Sequence, residues 1–243
     1  MSQFENYGKM AALGVDDVYQ NGRYKVQEGA QAEVPDDVMG KLRIHPDDSF
    51  LDIGCGLGLN LFPVAKIVAH AAGCDHPNVI EKIENKEESA GIAYHKGDFN
   101  ALNFDRKYTK ILAYSVLHTM PNEAALYGFI DRAISLLEPN GILLLGDIAN
   151  TDKKKRFTGS ARGLAFQKQW EQEFGAEKFD EASADWGLEH GNAVVIDDDF
   201  LLRIIKHIRQ AGMHAYTLDQ PQSLPFGNTR EDIVIIGPEY EDR

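Results

Sequence analysis

The sequence has few cysteines, few basic residues and no long apolar run. Its 243 residues include two cysteines, Cys55 and Cys74, which are too few for a disulfide framework and lack a C-x-x-C spacing. No apolar stretch approaches the roughly 20 residues that span a bilayer. Lysine and arginine number 25 against 38 acidic residues, for a formal charge of -13. This balance disfavours long-range attraction to nucleic acid or to an anionic membrane.

Two further absences narrow the class of protein. No secretory signal is recognisable at the amino terminus, so we expect a soluble, cytoplasmic protein that keeps both thiols reduced. The eight histidines are scattered without H-E-x-x-H or similar spacing, so no metal site is predicted. With 43% hydrophobic residues, the chain is long enough and apolar enough to bury a full core.

Strand-length and helix-length segments alternate between residues 49 and 148. This alternation predicts a parallel sheet covered by helices on both faces, because parallel strands need crossover connections. Strands are predicted at residues 49–53, 71–74, 92–95, 110–114 and 142–145, and helices at 60–70, 78–89 and 122–137. The segment "EPNG" at residues 138–141 is typical of a helix end followed by a turn.

The carboxyl-terminal part does not continue the alternation of strands and helices. Asp197 can cap a helix over residues 196–211, and two strand-like segments follow at 213–218 and 232–237. With no helix between them, these two strands can pair antiparallel. We divide the chain into an amino-terminal helical cap (1–45), one domain (46–237) with a capping insertion at about 153–195, and a short tail (238–243).

The segment "LDIGCGLGLN" at residues 51–60 places three glycines after the first strand. Gly54, Gly56 and Gly58 form G-x-G-x-G rather than the dinucleotide fingerprint G-x-G-x-x-G. Bare backbone at this position lets the chain turn tightly and approach a ligand. The next two strands end in "GCD" and "KGDFN", where Asp75 can accept hydrogen bonds from a ribose diol and Asp98 from an exocyclic amine.

These motifs resemble the class I S-adenosylmethionine-dependent methyltransferase family over about residues 45–237. The similarity also includes "ILAYSVLHTM" and "LLEPNGILLLGDI". It implies an α/β fold with a seven-stranded, mostly parallel sheet of order 3-2-1-4-5-7-6, strand 7 antiparallel. It further implies S-adenosylmethionine as cofactor and S-adenosylhomocysteine as product. The cofactor-binding residues predicted in this way are Asp52, Gly54, Gly56, Gly58, Asp75, His76, Asp98, Phe99, Tyr114 and Ser115.

Methyl transfer from a sulfonium depends mainly on holding the acceptor in line with the methyl group. A hydroxyl acceptor must also lose a proton, and His118 and Asp147 are the candidate general bases because both follow strands that end near the glycine turn. Histidine has an unperturbed pKa of about 6.5, which suits a base near neutral pH. Alternatively, His118 only packs or caps a helix, and Asp147 only anchors a loop.

Acceptor-binding residues are predicted from the basic run after "GDIAN" and from two aromatic segments. Lys153 and Arg156 can grip a phosphate or carboxylate, or they can belong to a solvated connection. In the insertion, Trp186 and His190 can cover the acceptor or act as local packing anchors. Tyr19 and Tyr24 in the amino-terminal cap can fold over the site or cover the sheet.

The predicted function is O-methylation of a sugar or sugar-phosphate-like metabolite, because the "GDIAN" region is similar to stand-alone methyltransferases of bacterial surface-glycan biosynthesis. Two alternatives stay open: N-methylation of an amino sugar or metabolite, and a catalytically inactive cofactor-binding subunit. The glycine spacing and the terminal antiparallel strands count against a nicotinamide oxidoreductase. The expected partners are a small, anionic acceptor and a second copy of the chain, with no nucleic acid and no membrane.

Overall fold

The computed structural model describes residues 2–24, 27–174 and 193–241, and a seven-stranded sheet lies at its centre. The strands are β1 Ser49–Ile53, β2 His70–Asp75, β3 Ile92–Lys96, β4 Tyr108–Tyr114, β5 Leu137–Ala149, β6 His214–Asp219 and β7 Arg230–Ile236. Their order is β3-β2-β1-β4-β5-β7-β6. Strand β7 pairs antiparallel with both β5 and β6, and the other neighbours are parallel. The predicted order and the antiparallel strand 7 are confirmed.

Helices surround the sheet in the part of the chain that the structure describes. They are α1 Gln3–Ala12, α2 Asp17–Gln20, α3 Glu28–Gln31, α4 Val34–Leu42, α5 Leu61–Ala65, α6 Pro77–Glu81, α7 Glu123–Ser135, α8 Thr151–Thr158, α9 Ala161–Phe174 and α10 Asp198–Gln210. The predicted cap of α10 is confirmed, because the Asp197 carboxylate accepts a hydrogen bond from the Phe200 amide. Within the described ranges, no helix is long and apolar enough to cross a membrane.

Both faces of the sheet are buried under apolar side chains. Along β1, Leu51 and Ile53 point to the face covered by α7 and α10, whereas Phe50 points to the face covered by α4, α5 and α6. These three side chains are at most 1% exposed. Burial on both faces explains why the strands form nearly continuous apolar runs rather than alternating ones.

Three segments differ most from the sequence-based prediction. Helix α5 is five residues long, and the Ala69 and His70 amides after it already bond to the Asp48 carbonyl oxygen, which places the chain at the start of β2. Helix α6 is also five residues long. The predicted turn at 138–141 lies inside β5. A register shift between Tyr108 and Lys110 of the neighbouring β4 accommodates those residues, so the strand starts at Leu137 rather than at 142.

The first four helices lie within the predicted amino-terminal cap, and α1 packs against the end of β2. The His76 ring lies 5.0 Å from the Phe4 ring, and a Cβ atom at Gly8 would approach it to 2.4 Å. The Gly8 carbonyl oxygen accepts a hydrogen bond from Asn78. Helices α8 and α9 lie in the predicted insertion at about 153–195.

Candidate active site

A cavity of about 610 Å³ lies over the carboxyl ends of the first four strands. This volume falls within the range of small-molecule sites. Residues of the glycine turn and the ends of β2, β3 and β4 form its floor. The amino-terminal segment contributes the other side, with Phe4, Tyr7, Gln20, Asn21 and Arg23.

Backbone conformation explains the glycine turn. Gly54, Gly56 and Gly58 have φ values of 75°, 52° and 86°, a left-handed region that costs an L residue roughly 1–2 kcal/mol. Gly54 and Gly56 line the cavity, whereas Gly58 does not. A Cβ atom at Gly58 would come within 2.4 Å of the Phe62 ring. The first two glycines therefore present bare backbone to a ligand, and the third lets the following helix pack closely.

Two carboxyl groups face the cavity beside this turn. Asp75 accepts hydrogen bonds from the backbone amides of Gly56 at 2.8 Å and His76 at 2.6 Å. Asp52 is 2% exposed, and burial, with a contribution from the Asp75 charge, raises its pKa to about 8. Burial also raises the pKa of Asp75. This end of the cavity is acidic and suited to a cationic, hydroxyl-bearing ligand.

Asp98 and Phe99 line the cavity at the end of β3. Asp98 accepts a hydrogen bond from the Asn100 amide at 2.8 Å. Phe99 is held between the Phe129 ring, 5.1 Å away, and the Arg132 guanidinium, 5.2 Å from its centroid. A flat ring beside a carboxylate is a suitable surface for a purine with an exocyclic amine.

The structure brings together most of the predicted cofactor-binding residues but leaves two of them outside the cavity. Gly58 is one, and His76 is the other, because its ring packs against α1 and its Nδ1 atom accepts the Asn78 amide hydrogen at 3.1 Å. The residues that line the cavity are Asp52, Gly54, Gly56, Asp75, Asp98, Phe99, Tyr114 and Ser115.

Arg23, which the sequence analysis did not single out, joins the amino-terminal segment to the ends of β4 and β5. Its Nη2 atom donates to Asp147 Oδ2 at 2.8 Å and to Ser115 Oγ at 2.9 Å. The Ser115 hydroxyl also donates to Asp147 Oδ2. Asp147 is fully buried, and Ser115 and Asp147 both have left-handed backbone, with φ of 62° and 57°. Such strained residues cluster at functional sites.

A second layer of buried groups supports Asp147. Asp232 accepts hydrogen bonds from the Asp147 amide at 2.8 Å and from Gln220 at 2.8 Å, and its other oxygen lies 2.7 Å from the Lys41 ammonium. Burial raises the pKa of Asp232, although Lys41 opposes the shift. Asp147 is therefore held at both its backbone and its side chain.

His118 and Arg230 lie in the electrostatic surroundings of Asp147. The Arg230 Nε atom is 3.7 Å from Asp147 Oδ1. Burial, followed by the charge of Arg230, lowers the pKa of His118 to about 4. Its surroundings penalise the charged form, so His118 is a weaker base at neutral pH than an unperturbed histidine, and its role as general base stays a prediction. The imidazole is neutral at pH 7, and a base with so low a pKa removes a proton from a hydroxyl group inefficiently.

The predicted acceptor-binding residues that the structure describes do not line the cavity. Lys153 bonds to Asp219 and to the Arg230 carbonyl oxygen, and Arg156 bonds to Asp198. The Tyr24 ring packs edge-on against Trp170 and Phe226, at 6.0 and 6.2 Å. Tyr19 is half-buried in α2, whereas Trp186 and His190 are outside the described residues.

The cavity fits S-adenosylmethionine. It offers bare backbone at Gly54 and Gly56, carboxyl groups at Asp52 and Asp75 for polar and cationic parts, and an aromatic surface at Phe99. In the part of the chain that the structure describes, no three histidine, cysteine, aspartate or glutamate side chains come together as a metal site.

Comparison with known proteins agrees with this geometry. A family model described as "Methyltransferase domain" matches residues 26–190. Malonyl-[acyl-carrier protein] O-methyltransferase from Haemophilus ducreyi is 25% identical over 198 residues, which cover 76% of this chain and 73% of that protein.

Solved structures share the fold. The N-methyltransferase NodS from Bradyrhizobium japonicum, in complex with S-adenosylhomocysteine, has a TM-score of 0.60 at 14% identity, with 98% of this chain and 100% of that chain covered. Magnesium protoporphyrin IX methyltransferase from Synechocystis, also with bound S-adenosylhomocysteine, has a TM-score of 0.59 at 16% identity, with 96% and 93% covered. With the family match over more than half of its length, the chain belongs to the methyltransferase domain family.

Proposed function

We propose that this protein transfers the methyl group of S-adenosylmethionine to an oxygen atom of a small, polar acceptor. The observation that carries the proposal is a single cavity whose acidic end, at Asp52 and Asp75, continues to Ser115 and Arg23 at the end of β4. Oxygen is favoured over nitrogen because the sequence relative from Haemophilus ducreyi is an O-methyltransferase. N-methylation is the second candidate, supported only by the shared fold of NodS.

The chain contributes binding and orientation. Asp75 would hold the ribose hydroxyls of the cofactor, Asp52 would lie toward its methionine part, and Phe99 would pack against its adenine. Arg23 and Ser115 position the acceptor where the cavity meets β4. When bound, S-adenosylmethionine supplies a methyl group already activated by the sulfonium charge, so alignment provides much of the rate enhancement.

The acceptor class proposed from the sequence is a sugar or a sugar phosphate in glycan biosynthesis. The support for it is the "GDIAN" similarity alone, since Lys153 and Arg156 are bonded to carboxylates away from the cavity. Dimerisation stays a prediction.

Calorimetry with S-adenosylmethionine and S-adenosylhomocysteine, with NAD as the comparison ligand, tests the cofactor. We expect micromolar binding of the first two and none of NAD. A second assay follows transfer of a labelled methyl group to the small-molecule fraction of a bacterial extract. Preferential binding of NAD would contradict the proposal, and donor binding with no label transfer would favour an inactive cofactor-binding subunit.

A further inference from the structure

A group of buried polar atoms lies beside the cavity described above. Among the described residues, these atoms have no hydrogen-bond partner. These atoms are His118 Nδ1, Asp147 Oδ1, Arg230 Nε and Arg230 Nη1. A buried donor without a partner costs roughly 1–3 kcal/mol, and more when it is charged. Their gathering at the ends of β4 and β5, where Arg23 and Ser115 border the cavity, indicates a site that a ligand completes.

The charges of this group favour an anion. Arg23 and Arg230 carry two positive charges, Asp147 carries one negative charge, and His118 is neutral at pH 7. Behind them, the Lys41 ammonium pairs with both Asp232 and Asp37. Counted over the described side chains of Arg23, Arg230, Asp147 and His118 alone, the cluster has one more positive than negative charge. A single carboxylate would balance it, and the planar fork of a guanidinium matches carboxylate geometry.

The arginines are held in place by an aromatic ring. The Phe226 ring centroid lies 5.5 Å from the Arg23 guanidinium carbon and 5.1 Å from that of Arg230. Phe226 itself has left-handed backbone, with a φ of 60°. A ring that contacts both guanidinium groups restricts their motion, so less side-chain entropy is lost when an anion binds.

A hydroxyl acceptor would need a base, and the described groups of the cluster suit that role poorly. The Asp147 Oδ2 atom accepts from Arg23 and Ser115, its Oδ1 atom lies 3.7 Å from Arg230 Nε, and His118 is a weak base for the reason given above. A carboxylate acceptor needs no base, because carboxylic acids have an ordinary pKa of about 4 and are ionised at neutral pH.

We propose that the acceptor is a small carboxylate, bound through Arg230 and Arg23, and that the product is its methyl ester. The inference rests on the proposed function and names its substrate class. A carboxylate oxygen donates a lone pair to the methyl carbon and forms a C–O bond, while the S–C bond breaks and its electron pair stays on sulfur. The negative charge of the carboxylate and the positive charge of the sulfonium both disappear, and no proton is transferred.

This chemistry also favours product release. The ester has lost the charge that paired with Arg230, so an ion pair is replaced by a weaker hydrogen bond from the guanidinium to a neutral ester oxygen. A uronic acid would satisfy both this inference and the sugar class proposed from the sequence.

The first test uses the stability of the product to alkali. The protein is incubated with methyl-labelled S-adenosylmethionine and the small-molecule fraction of a bacterial extract, and the products are treated with mild alkali. Carboxylic methyl esters release labelled methanol, whereas methyl ethers, N-methyl groups and methyl phosphates keep the label. We expect most of the label as methanol.

The outcomes separate the two proposals. Label that stays bound after alkali would overturn the carboxylate acceptor and leave the proposed methyltransferase activity intact. Absence of any transfer would overturn both.

The second test uses Arg230→Gln, with Arg106→Gln as the matched control. Arg106 is exposed and lies just before β4, at the amino-terminal end of that strand, whereas the cavity lies over the carboxyl ends of the strands. We expect Arg230→Gln to lower the alkali-labile label at least 10-fold, and a 10-fold more concentrated extract to restore part of it. Calorimetric affinity for S-adenosylmethionine should stay within two-fold of wild type.

Arg230→Lys serves as a second variant, because it retains the positive charge and loses the planar arrangement of N–H donors that a guanidinium presents to a carboxylate. Circular dichroism verifies that each variant is folded. If folded Arg230→Gln and Arg230→Lys both match wild type in alkali-labile transfer, the assignment of Arg230 as a carboxylate-binding residue is overturned.

Discussion

The two ends of the cavity differ in charge and in construction. The proposed donor end, at Asp52, Asp75 and the glycine turn, carries carboxyl groups and consists of residues next to the ends of neighbouring parallel strands. The proposed acceptor end joins Arg23 from the amino-terminal segment to Asp147, 124 residues later in the chain. We infer that the difference matches the reactants: a cationic donor faces carboxyl groups, an anionic acceptor faces arginines, and both meet at the end of β4.

The largest expected effect is at the donor end, with Asp75→Ala. Removing a carboxylate that can accept two charge-assisted hydrogen bonds should weaken S-adenosylmethionine binding by roughly 100-fold or more. Calorimetry measures the change, with the exposed Asp131→Ala on α7 as control. An unchanged dissociation constant would show that the donor binds elsewhere.

At the acceptor end, Arg23→Met removes the partner of a fully buried carboxylate. Losing one member of a buried pair typically costs about 3–5 kcal/mol, but Asp147 keeps the Ser115 hydroxyl and the nearby Arg230 guanidinium. We therefore expect a loss of about 2 kcal/mol in the free energy of unfolding, below that range. Urea denaturation of Arg23→Met, Asp147→Asn and the double variant gives the coupling energy. If the losses in the two single variants add up to the loss in the double variant, the 2.8 Å contact between Arg23 and Asp147 contributes nothing to stability.

Asp52→Asn should stabilise the ligand-free protein. The folded chain keeps the Asp52 proton up to about pH 8, whereas the unfolded chain loses it near pH 4. Stability therefore falls as the pH rises through this window, and an uncharged amide removes the loss. At pH 8 we expect a gain of at least about 1 kcal/mol, which is roughly 3 °C in Tm.

Thermal unfolding at pH 5 and pH 8 measures this difference. The gain should be larger at pH 8, and it should come with weaker donor binding. An equal Tm gain at both pH values would contradict the raised pKa.

The smallest effect is expected for Arg156→Gln. Arg156 is largely exposed and bonds to the exposed Asp198, and such surface pairs contribute about 1 kcal/mol or less. The rate of methyl transfer should stay within two-fold of wild type. The free energy of unfolding should change by about 1 kcal/mol or less. A large rise in KM would restore the role in acceptor binding that the sequence predicts for Arg156.

The location of the residues at the proposed donor end could be predicted from the sequence for a physical reason. Parallel strands end at one edge of a sheet, so a residue directly after a strand, such as Asp98, can be placed without knowledge of any distant residue. Strand order came from the family resemblance, and only the antiparallel pairing of the last two strands was inferred from the sequence pattern itself.

The acceptor end could not be predicted in this way. Arg23 lies in a segment of short helices, and its partners Ser115 and Asp147 are 92 and 124 residues away. The low pKa of His118 depends on burial and on Arg230, which no local pattern reports. The start of β5 was missed because a register shift in its neighbour allows a Pro-Asn-Gly segment to continue a strand.

Three non-glycine residues with left-handed backbone, Ser115, Asp147 and Phe226, lie at the acceptor end. Each costs of order 1–3 kcal/mol that a glycine would avoid. In a library of variants selected for heat resistance alone, glycine should therefore accumulate most at position 115, because glycine at 147 or 226 would also remove the carboxylate or the ring that contacts Arg23 and Arg230. A library selected for methyl transfer should instead retain the serine, the aspartate and the phenylalanine, so the ratio of the two frequencies would report what each side chain contributes to function.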